Sequence, residues 1–266
     1  MTADREPTAP PCRLDGRGVL VTRPRAQAEA LCRRIEAAGG RAVRFPTVEI
    51  RPVSAAGEAR ARLLAPRDLI VFISRNAVEQ AQALLGGRPL PRGVRLAAVG
   101  RATAEAMREA GMEPDLVPDA GYDSESLLAL PALRAVAGAR ALIVRGEGGR
   151  PLLGQTLKER GAEVVYAEVY RRVVPDVDAT VLVSVWRQSI AYVTATSDEV
   201  LTNLLAMVPA SAHAWLFSLP LVVLGPRNVE TARGLGFRSV DFAGEASDEA
   251  IVRALCRARS SEPVEA

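Results

Sequence analysis

Short apolar runs recur along this chain, each closed by a turn and followed by a stretch with apolar positions three and four apart. Gly18-Val-Leu-Val-Thr-Arg-Pro24 is the first such run and predicts a buried strand. Behind it Ala28, Leu31, Cys32 and Ile35 share one face at helical spacing, and Gly39-Gly40 end the helix. From Arg41 to Arg51 the pattern changes to alternation, with Val43, Phe45, Val48 and Ile50, and predicts extended chain. The same strand, helix and extended segment return as Ala141-Leu-Ile-Val-Arg145, Arg150 to Arg160 with Gly161, and Ala162 to Val174.

Matching Val19 to Leu142 sets an offset of 142 − 19 = 123, and three further elements keep close to it. Leu69–Ser74 and its helix from Asn76 answer to Ile190–Thr194 and its helix from Asp198. Leu96–Gly100 answers to Leu221–Gly225, their helices stopping at Gly111 and Gly236. Leu116-Val117 before Asp123–Leu127 answers to Val240-Asp241 before Ser247–Ile251. A repeat this long means duplicated domains rather than a solenoid. Strands alternating with amphipathic helices predict an α/β fold: two similar lobes, each a parallel sheet flanked by helices, with a working site in the cleft between them.

Such sheets carry their functional loops at the carboxyl ends of the strands. Those loops are Thr22-Arg23-Pro24, Ser74-Arg75-Asn76, Gly100-Arg101-Ala-Thr103, Arg145–Arg150, Thr194-Ala-Thr196-Ser197 and Gly225-Pro-Arg227-Asn228. Each joins hydroxyl, amide, small or arginine residues to a helix start, where free N–H groups and a partial positive charge favour anions. A ligand with several carboxylates or phosphates suits them.

Charge adds little, since 34 basic residues nearly balance 31 acidic ones. The arginines are scattered, so nucleic acid is not implied. Lys158 is the only lysine, leaving the positive charge to arginine, which grips carboxylates with a planar fork. Three cysteines, an odd number without C-x-x-C spacing, point to a reducing, cytoplasmic compartment and no structural metal. No apolar run approaches a membrane span, and residues 1–13 and 258–266 read as loose tails rather than targeting segments. Low aromatic content and the lack of a long heptad lead us to expect a monomer.

Several chemistries find no support. His213, the only histidine, lies in Ser211-Ala-His-Ala-Trp215 and reads as a solvated loop residue. No metal-spaced cluster occurs, Gly146-Glu-Gly-Gly149 fails the dinucleotide spacing, and no phosphate loop precedes Lys158. A cofactor-free enzyme or a binding protein remains.

Val19-Leu-Val-Thr-Arg-Pro24, Ser74-Arg-Asn-Ala-Val78, Val99-Gly-Arg-Ala-Thr103, Arg145-Gly-Glu-Gly-Gly-Arg150 and Val169-Tyr-Arg-Arg172, in this order, resemble uroporphyrinogen-III synthase, from about Gly18 to about Cys256. The resemblance implies mixed lobes, 14–46 with 175–257 and 53–165, joined by extended hinge segments at 45–53 and 166–174. It implies hydroxymethylbilane, a linear tetrapyrrole with eight carboxylates, as substrate. Water is lost, the last ring is inverted and the macrocycle closes, without cofactor or metal, by positional and electrostatic assistance. It aligns Tyr170 with a hinge-strand tyrosine, the first choice for proton donor, and Thr103 with a threonine facing the cleft. Ser74, Asn76, Thr194 and Thr196 are implied as substrate-binding loop residues. Arg23, Arg101, Arg145, Arg150 and Arg227 are candidate carboxylate partners, Arg23 and Arg145 foremost because they hold equivalent places in the repeat. Asn228 stands where the family often has threonine, and Arg75 where it often has proline.

Two other readings fit the loops. One is an inactive two-lobed binder of an anion or tetrapyrrole. The other is a sugar-nucleotide transferase, for which Asp176-Val-Asp178 is the only acidic pair of the expected form; it follows the second hinge segment and reads as a linker.

Overall fold

The computed structural model describes residues 12–119, 121, 123–245 and 247–260. It divides into two compact units: a first that takes the chain up to Glu49 and again from Val174, and a second formed by Ile50–Val173. The chain opens with β1 (Gly18–Val21), α1 (Arg25–Ala37) and β2 (Arg41–Arg44). Then come β3 (Glu49–Pro52), α2 (Ala56–Leu64), β4 (Leu69–Phe72), α3 (Arg75–Leu85), β5 (Arg95–Ala98), α4 (Arg101–Glu109), α5 (Ser124–Ala129), β6 (Arg140–Gly146), α6 (Leu152–Glu159) and β7 (Glu163–Val173). The first unit resumes with α7 (Thr180–Ser189), β8 (Ile190–Ala195), α8 (Asp198–Met207), α9 (His213–Ser218), β9 (Leu221–Val223), α10 (Pro226–Leu235), β10 (Val240–Phe242) and α11 (Asp248–Ser260).

The sheets run β10-β9-β8-β1-β2 and β3-β7-β6-β4-β5. The pairings of β1 with β2 and β8, and of β6 with β4 and β7, are parallel. Leu116, in the recurring Leu116-Val117 segment, makes an isolated parallel bridge to Ala97. One copy of the repeat supplies β1 to β5 and Leu116; the other supplies β6, β7, β8, β9 and β10. The first sheet therefore has the doubly wound order 2-1-3-4-5, and the second keeps 2-1-3-4 with β3 added outside its second strand and Leu116 bridged beyond its fourth; in this order ligands bind where it reverses, between the first and third strands. The copies have exchanged parts: each sheet takes its first two strands from one copy and the rest from the other.

The strands are short and apolar throughout because helices cover both faces. In the second unit Ile70, Phe72, Leu142 and Val144 meet α2, α3 and α4. Leu69, Val71, Ala141 and Ile143 meet α5 and α6. In the first unit α1 buries Ala28, Leu31, Cys32 and Ile35, the four positions its spacing predicts, against α11 and the sheet. Gly18 admits no side chain, since a Cβ there would lie 2.0 Å from the Ser189 carbonyl oxygen.

Three expectations are corrected. Cys12 and Cys256 form a disulfide, their Cα atoms 5.7 Å apart, and only Cys32 is free, buried with its thiol pKa raised by desolvation. Partners 244 residues apart leave no local spacing signal, so the cysteine count misled. His213 is no solvated loop residue: it starts α9, half-buried, with Nε2 2.9 Å from the Val208 carbonyl and 3.0 Å from that of Leu205. It serves the carbonyl end of α8. The segments expected as tails lie mostly outside the described residues, but Cys12 is anchored and α11 runs to Ser260. Among the described residues no single helix is long and apolar enough to cross a membrane.

Candidate functional site

In the second unit the switch point lies between β6 and β4. A bulge shifts the β6–β7 register so that Arg145 faces Glu168 and Gly146 faces Tyr170. Bulges re-aim side chains, and here Val169 and Tyr170, successive residues, are both buried. The Tyr170 ring lies across Gly146, where a Cβ would come within 2.7 Å of it. Its hydroxyl is 3.2 Å from Ser74 Oγ, and Ser74 Oγ also accepts from the Ala77 N–H as the cap of α3. Asn76 is buried in the same first turn.

Thr103 occupies the third position of α4 and is 5% exposed. It does not cap the helix, a duty that falls to Gly100. Of the buried polar side chains, those of Thr22, Thr47 and Thr194 all donate to backbone carbonyls. The Thr103 hydroxyl has no hydrogen-bond partner among the described residues. The oxygen is not sealed from solvent, so water satisfies it in the free protein and a ligand oxygen can take that water's place. Arg101 is exposed at the head of the same helix.

A cavity of about 200 Å³ opens beside these residues on the other face of the sheet, lined by Arg145, Gly149, Arg150, Asp123, Ser124 and Tyr166 over Ile73, Val99 and Ile143. The loop into it turns through Gly148 (φ 73°) and Gly149 (φ 94°), conformations open to glycine. Arg145 is held by Glu168 at 2.9 Å and stacks 4.3 Å from the Tyr166 ring centre. Arg150 is exposed and meets Glu125 at 3.2 Å. Ser126 holds the Asp123 carboxyl below its usual range, so the cavity keeps one negative group.

In the first unit the switch point lies between β1 and β8. Arg23 pairs with Asp248 at 2.6 Å, both mostly buried. Thr194 does not face solvent: its hydroxyl donates to the Leu20 carbonyl, and its own carbonyl accepts from Thr22 at 2.5 Å, stitching β8 to β1. Thr196 is half-buried in the turn before Ser197. Asn228 takes the place in α10 that Thr103 has in α4, but it donates to Asp198 at 2.7 Å. Arg227, largely exposed, lies 3.8 Å from the same carboxylate.

Capping sorts the helix starts. Ser74, Ser197, Asp123 and Ser247 accept from first-turn N–H groups of α3, α8, α5 and α11. Pro24, Gly100, Pro151 and Gly225 give α1, α4, α6 and α10 no side-chain cap. These four follow the first and fourth strands in both units, so the repeat keeps an anion-ready start at the same two places in each; α2, α7 and α9 also begin without a side-chain cap. The residue types at these loops foretold helix starts but not the arginine partners Asp248 and Glu168, which are distant in sequence and have no motif. The packing of Gly146 on Tyr170 likewise had no sequence signal.

Fold and site together define a duplicated, strand-exchanged α/β protein that presents uncapped helix starts and arginines at two switch points. A family model described as uroporphyrinogen-III synthase HemD matches residues 29–253. The uroporphyrinogen-III synthase of Escherichia coli K12 is 37% identical over 243 residues, 89% of this chain and 99% of that protein. That of Salmonella typhimurium LT2 is 37% identical over 244 residues, with the same coverage. The chain belongs to the uroporphyrinogen-III synthase family. Among solved structures, a mutant uroporphyrinogen III synthase from the extremely thermophilic bacterium Thermus thermophilus superposes with a TM-score of 0.62 at 20% identity, covering 93% of this chain and 100% of that one. Uroporphyrinogen-III synthetase from Helicobacter pylori 26695 gives 0.60 at 15% identity, covering 92% and 100%. At such identities the structures speak for the fold.

Proposed function

We propose that this chain converts hydroxymethylbilane to uroporphyrinogen III, a step of tetrapyrrole (haem) biosynthesis. The observation that carries this reading is the match to the E. coli synthase across 99% of that protein's length. The reaction expels the terminal hydroxyl as water, joins its carbon to the last pyrrole ring and inverts that ring. Atoms and electrons balance without an external oxidant or reductant. The protein's share is to protonate the leaving hydroxyl and hold the chain in the folded geometry.

Tyr170 gives the proton. Ser74, its lone pair engaged by the Ala77 N–H, turns its own hydrogen onto the phenol oxygen and stabilises the negative charge that develops there. Thr103, with no protein partner, takes a substrate oxygen at the start of α4. The uncapped starts of α4 and α6, with Arg101, Arg145 and Arg150, take carboxylates; each helix start contributes about 0.3–1 kcal/mol. The first unit offers α1 and α10 with Arg23 and Arg227 as a second set. Thr194 and Asn228 serve as internal struts, and Asn76 and Thr196 shape their turns.

The test supplies freshly prepared hydroxymethylbilane, oxidises the products and separates the porphyrin isomers, with and without chelator. A dominant type III isomer that survives chelation is expected. Only type I isomer, formed at the uncatalysed rate, would leave an inactive anion-binding protein and overturn the proposal.

A further inference from the structure

A second cavity in the second unit, of about 440 Å³, opens between the last turns of α3 and α4 and the loop from α3 to β5. It is larger than the cavity at Arg145, and Ser74, at the other end of α3, is about 16 Å away by helix length. Leu85, Leu90, Val94, Leu96 and Met112 form its apolar wall. The duplication shows what fills this place in the first unit. At the offset of 123, Gln82 and Leu85 answer to Leu205 and Val208, and Leu90 and Val94 answer to His213 and Phe217. From Leu96 the offset is 221 − 96 = 125, so that Gly111 and Met112 answer to Gly236 and Phe237. In the first unit α9 seats His213 on the carbonyls of Leu205 and Val208. It also lays the Phe217 ring on Gly236, with the Phe237 ring centre 5.3 Å away. The second unit keeps the surrounding positions but places no ring among them. Its loop is two residues shorter, and Pro89, Pro91 and Gly93 (φ 74°) exclude a helix there. Leu90 and Val94, both half-buried, leave the gap unfilled.

We infer that this cavity is a binding site for a small flat aromatic carboxylate. The ring takes the place that Phe217 fills in the first unit, against Leu85, Val94 and Met112. Charge selects the polar end of the ligand. Two lining residues are charged, Arg88 and Glu113. Arg108 holds Glu113 at 2.9 Å, whereas Arg88 has no acidic partner among the described residues. Arg88 is therefore the group left for a ligand, and its guanidinium grips a carboxylate with two parallel N–H bonds. The site is independent of the proposed reaction, and its test needs no substrate.

Met112 lines the cavity and supplies the reporter. Protein carrying 13C at its methionine methyls is titrated with 3-phenylpropionate, and with phenethylamine as the ring of opposite charge. 3-Phenylpropionate is expected to shift the Met112 methyl signal, assigned with Met112→Leu, with a dissociation constant on the order of 1 mM. At ten times that concentration it should raise the melting temperature by roughly 3–6 °C. Val94→Phe, which supplies the ring of the first unit, should abolish the shift and melt at or above the wild-type temperature. Arg88→Ala should weaken binding about tenfold and keep the wild-type melt. A Met112 signal that stays unmoved to the solubility limit overturns the inference. So does phenethylamine binding as tightly as 3-phenylpropionate, or a folded Val94→Phe or Arg88→Ala variant that binds with wild-type affinity.

Discussion

Replacing Gly146 by alanine tests whether Tyr170 works through its position. Gly146 has no positive φ, so alanine meets no backbone obstacle. The new Cβ would stand 2.7 Å from the Tyr170 ring, and ordinary contact begins at 3.4 Å, so ring and strand must part by about 3.4 − 2.7 = 0.7 Å. The ring is enclosed by the α2–α3–α4 core, and its free end is the hydroxyl 3.2 Å from Ser74 Oγ. A displacement of that size takes the pair beyond hydrogen-bond range. Overpacking of this kind costs about 1–3 kcal/mol, which for a chain of this size lowers the melting temperature by roughly 2–10 °C. Type III isomer formation should fall about tenfold or more, approaching Tyr170→Phe, which removes the proton donor and should cost on the order of 10²-fold. Thermal melts and the isomer assay at a temperature where both variants are folded check this. Gly146→Ala with full activity and an unchanged melt would refute the packing argument. Gly146→Ala destabilised yet fully active would refute the role given to the Tyr170–Ser74 pair.

Thr103→Ala should lower type III formation at least tenfold without loss of stability, since its hydroxyl holds nothing in the protein, and Thr103→Ser should restore most of it; equal effects of the two would point to packing. Asn228→Ala should leave the rate within a few-fold of wild type and show its cost in the melt, because Asn228 is bound to Asp198. Reducing the Cys12–Cys256 disulfide, or Cys12→Ser, should cost about 2–4 kcal/mol by freeing the unfolded chain; an identical melt with and without reductant, with thiol titration confirming the reduction, would contradict it. The Arg140 guanidinium holds Asp68 at about 2, below its ordinary 3.8. A depressed folded pKa stabilises above the unfolded value and loses that contribution as pH falls from about 4 to about 2. Asp68→Asn should flatten the acid limb of stability between those values; a limb as steep as that of wild type would show that other carboxylates set it.

The strands and helices were legible because parallel sheets covered on both faces demand short, fully apolar strands, and Leu69–Phe72 or Gly18–Val21 have no other reading. The duplication was legible as well. Its first extended segment hid a division: the stretch answering to the single strand β7 is split into β2 and β3, which lie in different sheets. Alternation continues through Phe45 and Val48, both buried, so periodicity carries no mark of where one sheet is left for the other. The site was legible as loops and residue types. Their employment was not, because Asp248, Glu168, Asp198 and Leu20 reach Arg23, Arg145, Asn228 and Thr194 only through the fold.

That employment breaks the symmetry of the repeat. At the offset of 123 Tyr170 answers to Thr47, and by helix position Thr103 answers to Asn228. In the first unit both counterparts are consumed by the fold. Thr47 is fully buried and donates to the Val200 carbonyl, while Asn203 holds its backbone, and Asn228 is held by Asp198. In the second unit the same two places carry a phenol backed by Ser74 and a hydroxyl with no protein partner. Groups already satisfied can neither transfer a proton nor bind a new oxygen without first breaking a buried hydrogen bond, at a cost of about 1–3 kcal/mol. The uncapped helix starts, by contrast, persist in both units. Under the proposed function, duplication therefore supplied two equivalent sets of carboxylate sites but left only the second unit with an acid and a hydroxyl that the fold does not consume, and an exchange of Thr47 for tyrosine is expected not to rebuild a second centre, because a phenol cannot make the bond to Val200 that the smaller side chain makes.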